Sequence, residues 1–354
     1  MNKNNYAVLG VLLAGLLCGQ ATSHAANVPK AASDTLEQKA QASRHATRSS
    51  LNAAAVAGDR LVVAGARGSI LYSDDQGQSW LPASVPVTVS LTGLCFANQQ
   101  QGWAVGHRGV ILATRDGGAS WTRQLQGAQA AQAILQVRQD PDQVDDARRW
   151  VKEGADKPFL AVKCLGEGRV LALGAYGLAF ITDDGGQQWR PALELLDGSE
   201  AQHLNAAQVL GSQIYLAGEQ GALMRIGRDM HGFSRFSSPY EGSFFALLAT
   251  REHSLIVAGL RGHVFRSTDQ GANWTPVALP TSKSLTAATE LRDGSLLLAD
   301  ESGQGWLSRD DGRSFRAVAP EERFPLIDLL ALPDGGSLAV GSNGITRFPP
   351  SALR

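Results

Sequence analysis

A stretch of eight residues with an aspartate, a glycine and a closing aromatic occurs five times in this chain. The five copies are SDDQGQSW from Ser73, TRDGGASW from Thr114, TDDGGQQW from Thr182, STDQGANW from Ser267 and SRDDGRSF from Ser308. A second pattern, Gly-x-x-Gly, begins at Gly65, Gly106, Gly174, Gly218, Gly259 and Gly341, with DESG from Asp300. The steps between successive copies are 41, 68, 44, 41, 41 and 41 residues. This spacing predicts seven units of one repeat, with one insertion.

Each unit contains four short apolar runs, as LTGLCF, GWAV, VILAT and WTRQL show in the second unit. Runs of four to six such residues between glycine-rich turns are typical of strands. Four strands in a unit of about 41 residues indicate the blade of a β-propeller. A blade cannot bury both of its faces alone, so the blades must pack in a ring. We therefore predict an all-β fold, a seven-bladed β-propeller of four-stranded antiparallel blades.

The ends of the chain indicate how this ring closes. The seventh unit, Pro325 to Phe348, supplies three strands and no aspartate turn. We expect residues 44–50 to supply the missing outer strand, so that an N-terminal strand closes the ring and leaves no open edge. The predicted organisation is a signal peptide (1–25), a flexible N-terminal segment (26–43) and the propeller (44–354).

The first residues have the features of a cleaved export signal. Lys3 precedes an apolar run from Tyr6 to Cys18, and small residues follow at Ser23 and Ala25. The run is too short to span a bilayer, which takes roughly 20 residues. Lipidation at Cys18 is disfavoured because a leucine, not a small residue, precedes it. We expect export to the periplasm, with no membrane span.

Charge and cysteine content exclude several classes of function. The formal net charge is −1, and it becomes −2 when Lys3 leaves with the signal, so a nucleic-acid partner is not expected. No CxxC, CxxCH or HExxH motif occurs, and we predict neither a metal nor a cofactor. Two cysteines remain, Cys95 and Cys164. We favour two unpaired residues on neighbouring strands over a disulfide, because they lie 11 and 10 residues before the next repeat glycine.

The aspartate pattern resembles the Asp box of sialidase-type (BNR) repeats. There the aspartate accepts hydrogen bonds from the turn, the glycine adopts a conformation closed to other residues, and the aromatic packs between blades. We therefore assign a structural role, not a catalytic or metal-binding one, to a set of ten residues. They are Asp75, Trp80, Asp116, Trp121, Asp184, Trp189, Asp269, Trp274, Asp310 and Phe315.

Taken together, the two patterns, as in GWAVGHRGVILATRDGGASW, are similar to the photosystem II assembly and stability factor family. The resemblance extends from Leu51 to Phe348 and identifies the chain as a non-photosynthetic bacterial relative. It implies an exported seven-bladed propeller that acts as a scaffold and binds a membrane-protein subunit during assembly.

The Gly-x-x-Gly turns are expected to surround one mouth of the propeller. Their third residues are Arg67, Arg108, Tyr176, Gln220, Arg261, Ser302 and Asn343. Arginines offer planar forks to carboxylates and phosphates. We predict that the three arginines and Tyr176 contact a partner; the alternative is that they are ordinary solvated turn residues.

The insertion, at about residues 125–158, adds 27 residues between the second and third units. Its sequence predicts two helices, the second with Pro141 in its first turn. Val144, Ala147 and Val151 share one face of that helix, with Trp150 beside them. We favour packing of this face on the propeller; the alternative is a partner-binding paddle anchored by Trp150.

These features predict a non-catalytic periplasmic scaffold that holds an envelope or membrane protein, a transporter among the candidates, through the face of the Gly-x-x-Gly turns. We expect a monomer. The alternative is a sialidase-like glycoside hydrolase. It is disfavoured because the Arg-Ile-Pro motif is absent and Tyr240 and Glu241 are only neighbours in sequence. We therefore expect no enzyme activity.

Overall fold

The apolar runs form seven antiparallel sheets in the computed structural model, which describes residues 34–154 and 156–354. Blade 1 comprises β1 (Leu51–Ala57), β2 (Arg60–Gly65), β3 (Ile70–Ser73) and β4 (Leu81–Pro82). Blade 2 comprises β5 (Leu91–Phe96), β6 (Gly102–Gly106), β7 (Val110–Thr114) and β8 (Thr122–Leu125). Blade 3 comprises β9 (Phe159–Gly166), β10 (Arg169–Gly174), β11 (Ala179–Thr182) and β12 (Arg190–Pro191).

The remaining blades repeat this order. Blade 4 comprises β13 (Leu204–Leu210), β14 (Gln213–Gly218), β15 (Leu223–Gly227) and β16 (Ser234–Arg235). Blade 5 comprises β17 (Phe244–Ala249), β18 (Leu255–Gly259), β19 (Val264–Ser267) and β20 (Thr275–Val277). Blade 6 comprises β21 (Leu285–Glu290), β22 (Leu296–Asp300), β23 (Gly305–Ser308) and β24 (Arg316–Val318). Blade 7 comprises β25 (Leu326–Ala331), β26 (Ser337–Gly341) and β27 (Gly344–Phe348).

Seven buried apolar clusters fill the seven interfaces between adjacent blades. Between blades 2 and 3, for example, Trp103 packs with Phe159 and Phe180, whose rings meet edge to face at 6.0 Å. Between blades 7 and 1, Leu338 and Val340 pack with residues of blade 1. The ring is thus closed by apolar contact, and the prediction of a seven-bladed propeller is confirmed.

The prediction that residues 44–50 form the outer strand of blade 7 is wrong. Residues 44–50 contain a short 3-10 helix, Ala46–Arg48, and the described residues place only three strands in blade 7. Ala46 is buried between blades 7 and 1, and the carbonyl of Thr47 lies against Gly344 at the start of β27. These residues therefore cross the end of blade 7 and do not run along its outer strand.

The described part of the segment predicted to be flexible, residues 34–43, lies along the connection between blades 1 and 2. The backbone N–H of Thr88 donates to the carbonyl of Thr35 at 2.8 Å, and that of Ala40 donates to Val85 at 3.0 Å. Leu36 is buried in the cluster between these blades. The predicted signal peptide, residues 1–25, lies outside the described residues.

Cys95 on β5 and Cys164 on β9 form a disulfide, with their Cα atoms 5.8 Å apart. The expectation of two unpaired cysteines is therefore wrong. Equivalent positions of neighbouring blades point the same way around the ring, and successive residues of a strand point to opposite faces. By strand register, the equivalent of Cys95 in blade 3 is Lys163. Cys164 follows Lys163 and therefore points in the opposite direction, toward blade 2. Cys95 and Cys164 can meet across the interface because their strand positions differ by one residue.

The insertion forms the two predicted helices, α1 (Gly127–Val137) and α2 (Pro141–Glu153). Asp140 caps α2 by accepting hydrogen bonds from the backbone N–H groups of Asp142 and Gln143. A third helix, α3 (Leu193–Gly198), lies in the connection between blades 3 and 4. No helix of the described residues is both long and apolar enough to cross a membrane.

Candidate functional site

The strand order assigns the turns of each blade to two opposite faces of the ring. Strands alternate in direction, so the turns between second and third strands share a face with the blade-to-blade connections. We call this the GxxG face. The aspartate turns, between third and fourth strands, lie on the other side, which we call the Asp-turn face. The insertion follows β8 and therefore belongs to the GxxG face.

Both glycines of the Gly-x-x-Gly turn lie in close contact with the backbone of neighbouring connections; in blade 6, Asp300 takes the place of the first one. A Cβ on Gly65 would lie 2.2 Å from the carbonyl oxygen of Ser50, just before β1. A Cβ on Gly68 would lie 2.1 Å from the carbonyl oxygen of Val87, in the next connection. Blade 7 shows the same contact, because Gly344 lies against the carbonyl of Thr47 in the N-terminal 3-10 helix. The pattern thus fastens each turn to the connections on both sides.

The third residue of five of these turns adopts left-handed backbone dihedrals. The φ angles are 57° at Arg67, 60° at Arg108, 56° at Tyr176, 54° at Gln220 and 57° at Arg261. Such residues are uncommon and persist where the surrounding structure holds them. Four of these residues are exposed: Arg67, Tyr176, Gln220 and Arg261. Arg108 is half-buried, with 41% of its side chain exposed. The turns therefore present these side chains at fixed positions on one face.

The three arginines differ in their surroundings. Arg108 lies between two carboxylates, 3.5 Å from Asp34 and 3.7 Å from Asp156. Arg67 and Arg261 make no ion pair within residues 34–154 and 156–354. Two of the three guanidinium groups are therefore not paired with a carboxylate of the described residues.

The insertion packs on its own propeller. Ala147 is buried against α1 and blades 2 and 3, and Trp150 is half-buried in the same cluster. Arg138, after α1, forms an ion pair with Asp197 of α3 at 2.7 Å. The favoured interpretation is confirmed for Ala147, while Val144 is half-buried and Val151, predicted on the same packed face, is exposed. Trp150 is not a free anchor.

Lys157 connects Trp150 and Tyr176, two residues that the sequence assigned to the site. Its Nζ lies 3.6 Å from the centre of the Trp150 ring and 5.3 Å from that of Tyr176. Burial lowers the pKa of Lys157 below its ordinary value. On its other side, Tyr176 meets the ring of His203 edge to face at 5.0 Å. Sequence reasoning missed Lys157 and His203, because the side chains at the ends of the blade-to-blade connections differ from blade to blade. His203 lies where blade 1 has Ser50.

The GxxG face also has exposed apolar side chains. Val137 of α1 is 42% exposed, Val151 of α2 is 40% exposed and Tyr176 is 51% exposed. Tyr240 lies in the connection before β17, and its ring stacks on that of His263 at 4.2 Å. His263 follows Arg261 by two residues. The GxxG face thus offers both cationic and apolar groups.

The Asp-turn face shows the contacts of a rigid turn. In blade 2, Asp116 accepts hydrogen bonds from the Ser120 backbone N–H at 2.9 Å, the Ser120 hydroxyl at 2.5 Å and the Thr114 hydroxyl at 2.8 Å. In blade 1, hydrogen bonds from the hydroxyl and backbone N–H of Ser79 lower the pKa of Asp75 to about 2. Each closing aromatic lies at the interface with the preceding blade: Trp80, Trp121, Trp189, Trp274 and Phe315.

The innermost strands enclose a central channel of about 510 Å³. Side chains on these strands donate to backbone carbonyls of the next blade, Asn52 to Leu91 at 2.8 Å and Thr92 to Phe159 at 2.7 Å. Asn205 and Thr286 repeat this contact in blades 4 and 6. These bonds pair polar groups at the free strand edges that would otherwise face the channel. No group of three or more His, Cys, Asp or Glu residues able to hold a metal occurs in the described part of the chain.

Comparison with solved structures supports the architecture. A structure of YCF48 bound to a D1 peptide superposes with a TM-score of 0.63 at 17% identity, covering 86% of this chain and 94% of that one. YCF48 from Cyanidioschyzon merolae gives a TM-score of 0.62 at 15% identity, covering 86% and 97%. The WD40 propeller domain of Doa1 gives 0.61 at 11% identity, covering 88% and 95%. No family model and no curated protein matches the chain. At these identities the likeness shows the propeller fold.

Proposed function

We propose that this protein is a non-catalytic scaffold that binds a segment of a membrane or envelope protein on its GxxG face. The observation that carries the proposal is the presence of Arg67, Arg108 and Arg261 at equivalent left-handed turns on one face of a closed ring. The left-handed turns fix the backbone positions from which the three arginines extend, so a partner meets them in one arrangement around the ring.

The partner that fits this face is a protein segment with acidic and apolar side chains. Arg67 and Arg261 are exposed and suit carboxylates, while Val137, Val151 and Tyr176 offer apolar contact. A propeller with the same architecture has been solved with a peptide bound, the YCF48 structure described above. The resemblance to the photosystem II assembly factor family supports the same kind of role, with a different client.

We place the protein in the periplasm. The predicted export signal supports this, and so does the disulfide between Cys95 and Cys164, since disulfides persist in oxidising compartments. A client there would be an envelope protein or the exposed part of an inner-membrane protein, such as a transporter.

Photo-crosslinking in cells tests which face meets the client. A crosslinking amino acid at Tyr176 or Gln220 lies on the GxxG face, and one at Gln76 or Gln270 lies on the Asp-turn face. We expect specific adducts from the first pair and none from the second. Adducts from the Asp-turn positions alone would contradict the proposal. Hydrolysis of chromogenic glycosides by the purified protein would instead favour the alternative, a sialidase-like hydrolase.

A further inference from the structure

Residues 34–37 of the chain occupy a groove on the GxxG face. The groove is formed by the connection between blades 1 and 2, residues 83–90, together with Arg108 and Arg123. The occupying segment reads Asp-Thr-Leu-Glu. Glu37 donates its backbone N–H to the carbonyl of Asp34 at 2.9 Å, so the segment forms a short turn.

An apolar slot in this groove holds Leu36. The side chain is 7% exposed and belongs to the cluster that contains Val85, Val87 and Val89 of the connection. The neighbouring Thr35 and Glu37 are exposed. The slot therefore selects one apolar side chain from a segment whose other residues remain at the surface.

Two arginines hold the acids on either side of this leucine. Arg123 donates from Nη2 to the carboxylate of Glu37 at 3.0 Å and from Nη1 to the carbonyl of Leu36 at 2.5 Å. Arg108, one of the three arginines of the proposed site, lies 3.5 Å from Asp34. The segment thus meets the same cationic surface that we assign to a client.

We infer that this groove is a peptide-binding site of the GxxG face and that residues 34–37 are an internal occupant that a client segment replaces. The client segment has the same chemistry, an acid, any residue, an apolar residue and an acid. The inference rests on the proposed function in that the client uses this face. A tethered occupant competes at high effective concentration, so it restricts entry to segments that match the groove better.

Exchange can be measured with a peptide of the chain's own residues 34–40, labelled with a fluorophore, by fluorescence anisotropy. The full mature chain is compared with the variant Leu36→Asp, whose tethered segment no longer fits the apolar slot. We expect the variant to bind the peptide at least ten-fold more tightly than the wild type, because its groove is open. Equal affinity of the two proteins, or no binding to either, would overturn the inference.

A charge exchange makes the test specific to the groove. Adding Arg123→Glu to the Leu36→Asp variant should abolish peptide binding. A peptide with arginine in place of Glu37 should restore it, since the ion pair is then reversed. Failure of this restoration, with tight binding of the original peptide retained, would place the peptide elsewhere and contradict the inference.

A second variant covers the case in which Leu36→Asp does not fold, as judged by its melting curve. Asp34→Asn with Glu37→Gln weakens the tethered segment through its charges and leaves the apolar slot intact, and the same gain in peptide affinity is expected. The peptide belongs to this chain, so these results judge the groove alone. Crosslinking and client capture judge the proposed function separately.

Discussion

The backbone N–H of Ala54 in blade 1 donates to the carboxylate of Asp328 in blade 7 at 2.9 Å, across 274 residues of chain. The other carboxylate oxygen accepts from the backbone N–H of Leu329 at 2.8 Å. Burial at the wall of the channel raises the pKa of Asp328 to about 6 from its ordinary 3.8. The first and last blades are therefore joined inside the channel by a carboxyl group whose pKa is raised by burial.

Replacing Asp328 with asparagine should change how stability depends on pH. Between about pH 4 and pH 6 the folded protein binds a proton at Asp328 that the unfolded chain does not, so this group's contribution to stability falls as pH rises. We expect the unfolding free energy of the wild type, relative to Asp328→Asn, to decrease by about 1–3 kcal/mol from pH 4 to pH 7. Urea titrations at both pH values measure this difference. A difference that is constant or increases with pH would contradict it.

The disulfide between Cys95 and Cys164 closes a loop that contains the whole insertion, with a sequence separation of 69. Such a crosslink limits the unfolded chain and is typically worth about 2–4 kcal/mol. We expect the double variant Cys95→Ser, Cys164→Ser to lose roughly this much unfolding free energy and to keep its fold. Reducing agent should lower the stability of the wild type and leave the double variant unchanged, which is the control.

Removing a carboxylate from the Asp-turn face should reduce stability without affecting the GxxG face. Asp116→Ala loses three hydrogen-bonding contacts from Ser120 and Thr114, and we expect a loss of about 1 kcal/mol in unfolding free energy. Differential scanning calorimetry should show a lower melting temperature. Weaker client capture by the folded variant, at a temperature where the wild type is also folded, would assign a binding role to this face.

Much of the fold was predictable because the constraints repeat along the chain. Each Gly-x-x-Gly turn needs two glycines for the same backbone contacts, so the period of 41 residues is visible in sequence. The contacts between blades are less visible. Cys95 and Cys164 face each other because they are one residue out of step, a relationship that becomes clear only when the two strands are placed side by side.

The candidate site was predictable only in part, because only some of its residues occupy repeated positions. Arg67, Arg108 and Arg261 occupy a repeated position, and the structure places all three on one face. Lys157 contacts Trp150 of the insertion, and Arg123 contacts Glu37 of the N-terminal segment. Folding brings these single residues to the face, and no spacing in the sequence marks them.

Charge reversal on the GxxG face tests the central claim most directly. The triple variant Arg67→Glu, Arg108→Glu, Arg261→Glu is compared with a control that has the same change of charge on the Asp-turn face. The control variant is Arg115→Glu, Arg292→Glu, Arg313→Glu, three exposed residues. Exposed substitutions usually alter stability by less than about 0.5 kcal/mol each, so the control should melt close to the wild type. The GxxG-face variant also loses the ion pairs of Arg108 with Asp34 and Asp156, so the double variant Arg67→Glu, Arg261→Glu, which leaves these pairs intact, is measured beside it.

The measurement is capture of the client that crosslinks to the GxxG face, by each purified protein at equal concentration. We expect the GxxG-face variant to lose capture, because the reversal replaces attraction with repulsion, and the control variant to retain it. If the GxxG-face variant melts normally and captures the client as well as the wild type does, the client does not bind through these arginines and the proposed function of this face is wrong.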